Sequence, residues 1–477
     1  MRILLVNPPR FEGVPVIREE RCEITERYSV LEPYSLLQLA AILRGNGHEV
    51  SLLDANGFDL GFDEILERVK TFRPDILVFR FTPTTFDQDI KICGMGKAAH
   101  PGLKTVGMCW TLVPVVEEVM NEATDLDYFI VGDYEAVVPA LVGSIGRGEA
   151  PGAGVAWRDA LGVKANPTSR EMIPDLSKLP IPAYDLLPSL EPYFINTPTG
   201  DAFTIMYTSR GCPYRCIYCT VAGTVWKPRS AESVLAELRF LSKTCGVKLV
   251  SFFDETFTID KQRVMDICKA IVDEKLDIKW YCNTRANLLD DELLGAMRAA
   301  GCRGMSVGVE SGSQKILDTA AKRVSVEEAK DVIRMAKRRG IKVLCSFILG
   351  LPGENWQTVH ETIRFVRDTL PTGVQFNVAV PYPGTKLHEW AMEKGLLKDG
   401  DWRHLYQHSS VAGTEEMTPA ELDRARAMAY RSVYTNPAWI LENVRHVFRN
   451  PEDFQLAARY AIKVINNLVF HGMRDAH

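Results

Sequence analysis

The chain has 477 residues, of which 46% are hydrophobic and 25% are charged. This ordinary globular composition excludes collagen-like, coiled-coil and disordered chains and predicts about two to four domains. The 56 basic and 61 acidic residues give a formal net charge of −5, which argues against nucleic acid as a partner, because proteins that bind phosphate backbones usually carry a basic excess.

Residues 1–147 are predicted to form a Rossmann-like, doubly wound α/β domain. Short apolar runs alternate here with longer helical patterns, which is typical of parallel βα units. Strands are predicted at 2–6, 49–53, 75–79, 104–106 and 128–131, each followed by a helical pattern. Ligands of such open sheets bind beyond the carboxyl ends of the strands.

Residues 148–200 are predicted to be a proline-rich linker, because the βα pattern stops there and prolines recur in a way that suits a path over the surface. A second βα series occupies 201–390. Its strands are predicted at 203–207, 249–253, 278–282, 304–309, 342–347 and 373–379. These six units are too few for an eight-stranded barrel and predict a partial (β/α)6 barrel with its site at the carboxyl ends of the strands.

Residues 391–477 are predicted to be mostly helical. One helix begins at the capping box of Thr418 and Glu421, with Pro419 at its first position, and another runs from about 450 to 469. No apolar run has the length of a transmembrane segment, and the N-terminus does not suit a signal peptide. The 11 cysteines are an odd number in a long chain, so we expect a cytoplasmic protein without a disulfide framework.

Three cysteines stand close together after the first predicted barrel strand. Cys212, Cys216 and Cys219 form a C-x-x-x-C-x-x-C motif. Three thiolates at this spacing can each bind one iron of a [4Fe–4S] cluster and leave the fourth iron open to a chelating ligand. The alternative is a set of structural or zinc-binding cysteines, although zinc favours a fourth Cys or His ligand and the sequence places none nearby.

This segment resembles the radical S-adenosylmethionine (SAM) superfamily, whose motif C-x-x-x-C-x-aromatic-C has Tyr218 in its aromatic place. The resemblance covers about residues 200–390. It implies that SAM chelates the open iron and is cleaved by one electron to methionine and a 5′-deoxyadenosyl radical, which abstracts hydrogen from a C–H bond. It also implies a reductant such as flavodoxin or ferredoxin, while the protein orients the substrate and excludes water.

The same resemblance implies that SAM contacts lie at the carboxyl ends of the barrel strands. Besides Tyr218, the implied contacts are Asp254 and Glu255 after the second strand, Arg285 after the third, Glu310 and Ser311 after the fourth, and Gly350 after the fifth. Each taken alone has a plainer interpretation, because an acidic residue or a glycine at a strand end is often a helix cap or a tight turn.

The strand-end loops of residues 1–147 resemble the cobalamin-binding domain of one class of radical SAM enzymes. The resemblance implies cobalamin contacts at Asn7 and Pro8, at Thr82, Thr84 and Thr85, at Gly107, and at Gly132 and Glu135. The D-x-H-x-x-G motif that supplies an axial histidine is absent, so cobalamin would bind without a protein His ligand, and Trp110 stands in the fourth-strand loop. A sheet that only scaffolds the barrel is the alternative.

The paired domains resemble cobalamin-dependent radical SAM methyltransferases. The resemblance implies methylation of an unactivated carbon or phosphorus in a small-molecule, lipid or natural-product intermediate. Alternatives are a cobalamin-dependent radical cyclisation or oxidative rearrangement, as in magnesium-protoporphyrin ester cyclase or hopanoid side-chain enzymes, a methylthiotransferase, and a non-catalytic sensor of SAM or cobalamin. The N-terminal cysteines Cys22, Cys93 and Cys109 are not spaced like the second cluster of a methylthiotransferase.

Overall fold

The computed structural model describes residues 1–19, 23–24, 29–167, 175–194, 203–397, 402–405 and 409–449. Two large sheets follow each other along these parts of the chain. The helix predicted at 450–469 lies outside the described residues. No described helix is long and apolar enough to span a membrane.

The N-terminal sheet has seven strands, the first five of which run parallel. They are β1 (Arg2–Asn7), β2 (Glu49–Asp54), β3 (Ile76–Arg80), β4 (Lys104–Met108), β5 (Tyr128–Ile130), β6 (Val155–Asp159) and β7 (Gly162–Ala165). Their spatial order is β2-β1-β3-β4-β5-β6-β7. The order reverses between β1 and β3, which confirms the doubly wound fold and puts the expected ligand crevice at the carboxyl ends of these strands.

Helices cover both faces of this sheet. They are α1 (Tyr34–Gly45), α2 (Phe62–Phe72), α3 (Lys91–Ala99), α4 (Val116–Glu122) and α5 (Tyr134–Arg147). Alternate residues of β1 enter different cores: Ile3 and Leu5 pack with α1 and α5, whereas Leu4 and Val6 pack with α2, α3 and α4. A strand buried on both faces is apolar throughout, which explains the continuous apolar run at the start of the sequence.

The prediction of a linker over all of residues 148–200 is wrong for its first part. Strands β6 and β7 form an antiparallel hairpin that extends the sheet beyond β5. The apolar run that starts this hairpin is short and flanked by prolines, but Val155 and Ala156 are buried. Gly162, with φ +117°, supplies a left-handed turn residue that few other residues could replace.

Residues 175–194 also pack on the N-terminal domain. Ala183 N donates to the Leu37 carbonyl oxygen (3.0 Å), and the Tyr193 hydroxyl donates to the buried Asp54 carboxylate (2.6 Å). Tyrosine and aliphatic side chains thus anchor this proline-rich segment, and the linker stays a prediction here. The boundaries proposed at 147, 200 and 390 stay predictions.

The second sheet has six parallel strands in chain order, β8 (Phe203–Met206), β9 (Leu249–Phe252), β10 (Lys279–Thr284), β11 (Cys302–Glu310), β12 (Lys342–Leu349) and β13 (Gly373–Val378). Its helices are α6 (Ala231–Lys243), α7 (Lys261–Asp273), α8 (Asp291–Ala299), α9 (Gln314–Thr319), α10 (Val326–Arg338), α11 (Trp356–Thr369) and α12 (Lys386–Glu393). Strands β8 and β13 are the edges of this sheet. The predicted partial (β/α)6 barrel is therefore confirmed.

The described part of the C-terminal region is helical, with α13 (Pro419–Tyr434) and α14 (Pro437–Arg449). The capping box predicted for Thr418 and Glu421 is present at the start of α13. Helix α13 packs on the last barrel strand, where Phe376 N donates to the Tyr430 hydroxyl oxygen (3.0 Å). This helix therefore closes one edge of the open barrel.

Buried polar groups join the N-terminal domain to the barrel. The Glu32 carboxylate accepts hydrogen bonds from Thr204 Oγ1 and Ile205 N of strand β8, and Glu32 is 1% exposed. In the same interface, Glu237 of α6 is paired with Arg229 (2.6 Å) and accepts a hydrogen bond from the Tyr34 hydroxyl (3.2 Å). A buried ion pair such as Arg229 with Glu237 stabilises this joint only while both partners are present, because a single buried charge is costly.

Glu32 makes the joint sensitive to pH. Burial raises the pKa of Glu32 from 4.5 to about 8. Between these two values the folded protein holds a proton that the unfolded chain has released, so stability falls as pH rises through this window. Glu32→Gln cannot ionise and is expected to gain roughly 4 kcal/mol over the wild type between pH 5 and pH 9. Thermal unfolding at both pH values measures the gain.

The exposed Glu67→Gln variant of helix α2 is the matched control and is expected to show no such change. A constant difference between Glu32→Gln and the wild type at pH 5 and pH 9 would contradict the assignment.

Candidate active site

The three motif cysteines lie on a tight loop, here called the cysteine loop (residues 211–224). The loop is closed by a short antiparallel strand pair, Ser209–Arg210 with Lys227–Pro228. Gly211 begins it with φ +80°, and a Cβ atom there would lie 2.3 Å from the Val225 carbonyl oxygen. Only glycine fits at this position, so the backbone fixes where the first cysteine stands.

Electrostatics makes this loop an unfavourable place for free thiolates. Cys212 and Cys216 are buried and Cys219 is half-buried. Burial raises the pKa of the Cys212 thiol, and it raises the pKa of Cys219 to about 12, with a further increase from the other two thiolates. Thiolates so placed need positive charge, which the irons of a [4Fe–4S] cluster would supply. In the described part of the chain, no three His, Cys, Asp or Glu side chains are grouped closely enough to hold a single ion.

Arg285 places a positive charge against the cysteine loop. Its Nη1 atom donates to Cys216 Sγ at 3.4 Å, and its guanidinium carbon lies 3.7 Å from the centre of the Tyr214 ring. Its Nη2 atom donates to the Lys322 carbonyl oxygen, and the residue is 4% exposed. Neighbours on several sides thus hold a donor on a cysteine sulfur, which favours the more negative state of a cluster bound there.

A buried ion pair stands at the end of strand β11. Glu310 adopts φ +70°, a left-handed conformation that is uncommon for residues other than glycine. Its carboxylate accepts a hydrogen bond from Lys322 Nζ at 2.6 Å, and both side chains are buried. A Cβ atom at Gly308 would lie 2.4 Å from Glu310 Oε1, so glycine makes room for the pair. Strained backbone of this kind concentrates at functional sites.

The turn after Glu310 is packed onto helix α11. Ser311 Oγ and Thr362 Oγ1 are 3.2 Å apart, and Gly312 N donates to Thr362 Oγ1 (2.9 Å). A Cβ atom at Gly312 would lie 2.6 Å from Thr362 Cα. Ser311 is 1% exposed, so its hydroxyl group helps to fix the turn that carries Glu310.

The two acidic residues after strand β9 have different surroundings. Asp254 is fully buried and accepts hydrogen bonds from Thr208 N (2.6 Å), Thr208 Oγ1 (2.6 Å) and Ser209 Oγ (2.7 Å). It therefore anchors the segment that leads into the cysteine loop. Glu255 is half-buried, and its charge adds to the increase in the pKa of Cys219. Of the two carboxylates, Glu255 is the one that acts on the cysteines.

Gly350 directly follows the fifth barrel strand, β12. It has φ +93° and donates through its backbone N–H to Glu354 Oε2 (3.4 Å). Burial raises the pKa of Glu354 to about 7. Tyr218 of the cysteine loop packs against a small apolar cluster that includes Leu351 and Leu387, and burial raises the pKa of its hydroxyl group. Leu351 follows Gly350, so the aromatic residue of the motif shares an apolar cluster with the segment at which the resemblance implies a SAM contact.

Several residues predicted to contact cobalamin form hydrogen bonds within the N-terminal domain. Asn7 Nδ2 donates to Asp54 Oδ1 (2.8 Å). Thr85 Oγ1 donates to Asp89 Oδ2 (2.6 Å), and the same carboxylate oxygen accepts from Arg18 Nε (2.7 Å). These contacts fix the loops after β1 and β3.

The remaining predicted cobalamin contacts differ in burial. Thr82 is buried, with its Oγ1 atom 3.2 Å from that of the half-buried Thr84. The Pro8 carbonyl oxygen accepts a hydrogen bond from an Arg18 nitrogen at 2.9 Å. A Cβ atom at Gly107 would lie 2.9 Å from Phe81 Cε1, so core packing by itself requires glycine there.

Residues that follow strands β4 and β5 of the N-terminal domain contact the cysteine loop and Arg210, the residue before it. Arg210 Nη2 donates to the Tyr134 hydroxyl oxygen (2.6 Å) and lies 3.3 Å from Glu135 Oε1. At the other end, Trp110 Nε1 donates to the Thr220 carbonyl oxygen (3.4 Å). The edge of the sheet at which cobalamin is predicted therefore meets the loop at which the cluster is predicted. Gly132, on the loop that leads into α5, is half-buried.

The inner face of the last two barrel strands carries both polar and aliphatic side chains. Alternate residues such as Phe347 and Phe376 are buried on the outer face, whereas Ser346, Gln375 and Asn377 are half-buried on the inner face, which also carries Leu344 and Ile348. Asn377 Oδ1 is a buried atom with no hydrogen-bond partner among the described residues. The barrel lumen therefore offers hydrogen-bonding groups.

Sequence reasoning missed Lys322, which pairs with Glu310 and whose carbonyl group holds Arg285. Its flanking residues Ala321 and Arg323 have φ +52° and +54°. The sequence shows only an ordinary charged segment after a helix there. The burial of this lysine arises from contacts with two separate strand ends, which periodicity does not reveal.

Two family models match the chain. The Radical SAM superfamily model matches residues 206–366 and includes the cysteine loop and strands β9 to β12. The B12 binding domain model matches residues 21–142 and includes strands β2 to β5. The two matches follow each other in the same order as the two sheets.

Known proteins resemble the chain over most of its length. An uncharacterized methyltransferase of Pyrococcus horikoshii is 31% identical over 451 residues, which cover 93% of this chain and 95% of that protein. An anaerobic magnesium-protoporphyrin IX monomethyl ester cyclase of Rubrivivax gelatinosus is 27% identical over 459 residues, which cover 92% of this chain and 78% of that protein.

The fold is also similar to that of a solved structure, the cobalamin-dependent SAM radical enzyme OxsB with aqua-cobalamin and SAM bound. The TM-score is 0.73 at 17% sequence identity, and the match covers 99% of this chain and 75% of that chain. This likeness shows that both parts of the chain share the fold of that enzyme.

Arg285→Gln is expected to lower the reduction potential of a reconstituted [4Fe–4S] cluster, because it removes a charge and an N–H group that favour the reduced state. The expected shift is roughly 50 mV, equivalent to about 1 kcal/mol for one electron. Arg285→Lys keeps the charge, so its reduction potential should lie between those of the wild type and Arg285→Gln. A redox titration followed by electron paramagnetic resonance (EPR) measures the potential.

Arg239→Gln is the control for the loss of an arginine as such. Arg239 lies on the outer helix α6 and pairs with a carboxylate there. An Arg285→Gln protein with a full cluster content and an unchanged potential would refute the role of Arg285.

Proposed function

We propose, from the premise that this chain belongs to the radical SAM superfamily and carries a B12 binding domain, that it is a cobalamin-dependent radical SAM methyltransferase. One observation carries the proposal. Residues that follow two strands of the N-terminal sheet contact the cysteine loop or the residue before it: Glu135, at the start of α5, contacts Arg210, and Trp110 contacts Thr220. The two predicted cofactor sites therefore share one interface.

When bound, the cluster supplies the electron that cleaves SAM, and cobalamin supplies a carrier for the methyl group. We assign Cys212, Cys216 and Cys219 as the cluster ligands. Arg285 orients Cys216 through the bond to its sulfur atom. Asp254 has a positioning role, because its carboxylate accepts hydrogen bonds from the segment before the cysteine loop.

We assign the SAM contacts to groups at the strand ends that border the cysteine loop. Glu255 and Glu310 offer carboxylates to the amino or hydroxyl groups of SAM, and Lys322 holds Glu310 in place. Ser311 supports the same turn from within. Gly350 leaves the fifth strand end without a side chain, and Tyr218 packs against the apolar cluster that includes the next residue, Leu351.

We assign the cobalamin site to the carboxyl edge of the N-terminal sheet. Pro8 and Thr84 belong to the loops after β1 and β3, beside the reversal of strand order where such sheets bind ligands. Gly132 belongs to the loop after β5. The remaining predicted contacts, Asn7, Thr82, Thr85, Gly107 and Glu135, are given positioning roles because their side chains are taken up by protein contacts or, for glycine, required by packing.

We further propose a small-molecule, lipid or natural-product substrate that carries hydrogen-bonding groups. The half-buried Ser346, Gln375 and Asn377 of the lumen support this, because their polar groups would lose hydrogen bonds to water against a plain hydrocarbon. The methyl acceptor is an unactivated carbon or phosphorus. The proposal includes a cytoplasmic location and an external one-electron donor such as flavodoxin or ferredoxin.

A radical cyclisation is the second candidate, because similarity to the magnesium-protoporphyrin ester cyclase of Rubrivivax gelatinosus extends over 92% of this chain. Both candidates use the same cofactor sites and differ in what happens to the substrate. Methylation consumes a methyl group from SAM, whereas cyclisation does not.

Cys212→Ser, Cys216→Ser and Cys219→Ser are each expected to reduce SAM cleavage at least about 100-fold, because a hard hydroxyl group replaces a soft thiolate ligand. The measurement is 5′-deoxyadenosine formed by protein reconstituted under argon and reduced with dithionite. Cys245→Ser is the matched control, since this half-buried cysteine precedes strand β9 and lies outside the cysteine loop. Full activity in any of the three loop variants would refute the ligand assignment.

Reconstituted protein with hydroxocobalamin and SAM is expected to form S-adenosylhomocysteine as well as 5′-deoxyadenosine when substrate is present. Omission of cobalamin should abolish only the first product, because methyl transfer needs the carrier. Liquid chromatography with mass spectrometry quantifies both. Turnover that yields 5′-deoxyadenosine without S-adenosylhomocysteine would favour the cyclase.

A further inference from the structure

Three exposed cations surround the cysteine loop. They are Arg215 within the loop, Arg323 after helix α9 and Lys386 at the start of helix α12. None of the three forms an ion pair with any residue that the structure describes. The chain as a whole has a formal net charge of −5, so this patch has the opposite sign to the molecule that carries it.

Backbone hydrogen bonds join the three segments at one residue of the cysteine loop. Ile217 N donates to the Ala320 carbonyl oxygen (3.2 Å), and Leu387 N donates to the Ile217 carbonyl oxygen (3.0 Å). Arg215 lies two residues before Ile217, and Lys386 is the neighbour of Leu387. The three cations therefore belong to segments whose backbones are held together at Ile217, between the second and third motif cysteines.

Two of these cations occupy positions that local structure disfavours. Lys386 is the first residue of helix α12, where the partial positive charge of a helix N-terminus repels a cation. Arg323 has φ +54°, a conformation that is uncommon for residues other than glycine. Places where sequence conflicts with local preference are expected to be functional.

The patch is also connected to the cysteines themselves. Arg323 follows Lys322, whose carbonyl oxygen accepts from Arg285, and Arg285 touches Cys216 Sγ at 3.4 Å. Only Lys322 and the side chain of Arg285 thus stand between the exposed Arg323 and the predicted cluster ligand Cys216. An electron that enters here has a short path to the cluster.

We propose that Arg215, Arg323 and Lys386 form the docking surface for a small acidic protein that carries one electron. This rests on the proposed function, because a cluster must be bound for the surface to have a use. In the step, the carrier's reduced flavin or iron–sulfur centre loses one electron, the [4Fe–4S]²⁺ cluster gains it to become [4Fe–4S]⁺, and no bond or proton is exchanged. Transient redox complexes bury little surface, so a few charges suffice to orient them.

The test is the rate of cluster reduction by a reduced bacterial flavodoxin of negative net charge, followed by stopped-flow absorbance. The R215E/R323E/K386E variant is expected to lose roughly tenfold or more of the second-order rate constant at low ionic strength. The R215Q/R323Q/K386Q variant should lose less. Added salt should slow the wild type but not the charge-reversed variant, because salt screens the attraction.

The matched control is K243E/K275E/R338E, which reverses three exposed cations near the ends of helices that precede barrel strands. This end of the barrel lies opposite the cysteine loop, and Lys275 shares the left-handed conformation of Arg323, with φ +51°. The control is expected to keep the wild-type rate within twofold. Every variant should also give the full EPR signal of the reduced cluster with excess dithionite, which shows that its cluster is intact.

A charge-reversed variant that flavodoxin reduces at the wild-type rate would overturn the docking surface. An equal loss in the control triple variant would overturn it as well, because the effect would then follow from net charge. The two proposals fail differently: a wild-type protein without a cluster signal overturns both, whereas a normal signal with an unchanged rate overturns only the docking surface.

Discussion

Three thiols gathered on one short loop can exist as thiolates only if positive charge is brought to them. Burial raises the pKa of Cys212 and Cys219, and the charge of Cys216 adds to both increases. The surrounding structure supplies part of the compensation through Arg285, which touches Cys216. The irons of a cluster would supply the rest. The need for positive charge beside the thiolates is thus the reason to expect a cluster on this loop.

The same loop is where the two sheets of the molecule meet. Tyr134 and Glu135 bind Arg210 at its beginning, and Trp110 reaches Thr220 at its end. Farther away, Glu32 and Glu237 join the domains through buried hydrogen bonds. Both sheets thus place the carboxyl ends of their parallel strands around one region, which suits a reaction that uses two cofactors in succession.

The sequence predicted the large elements well because their signals are local. Alternating apolar runs and helical patterns gave the doubly wound sheet and the six strands of the barrel, and the cysteine spacing pointed to the superfamily. The hairpin of β6 and β7 escaped prediction, since its apolar run is short and its stability comes from pairing with β5. Lys322 escaped as well, because its burial depends on side chains from other strand ends. Thr82, Thr85 and Asp254 show the same limit, as sequence indicates a polar group but not whether a ligand or the protein binds it.

The most direct test is the EPR spectrum of the reconstituted, reduced protein before and after SAM is added. An iron without a protein ligand takes SAM into its coordination sphere, so the account predicts that the g-values of the reduced cluster change when SAM binds. A reduced [4Fe–4S] signal that stays the same at saturating SAM would mean that no iron is open to SAM, and it would contradict the account.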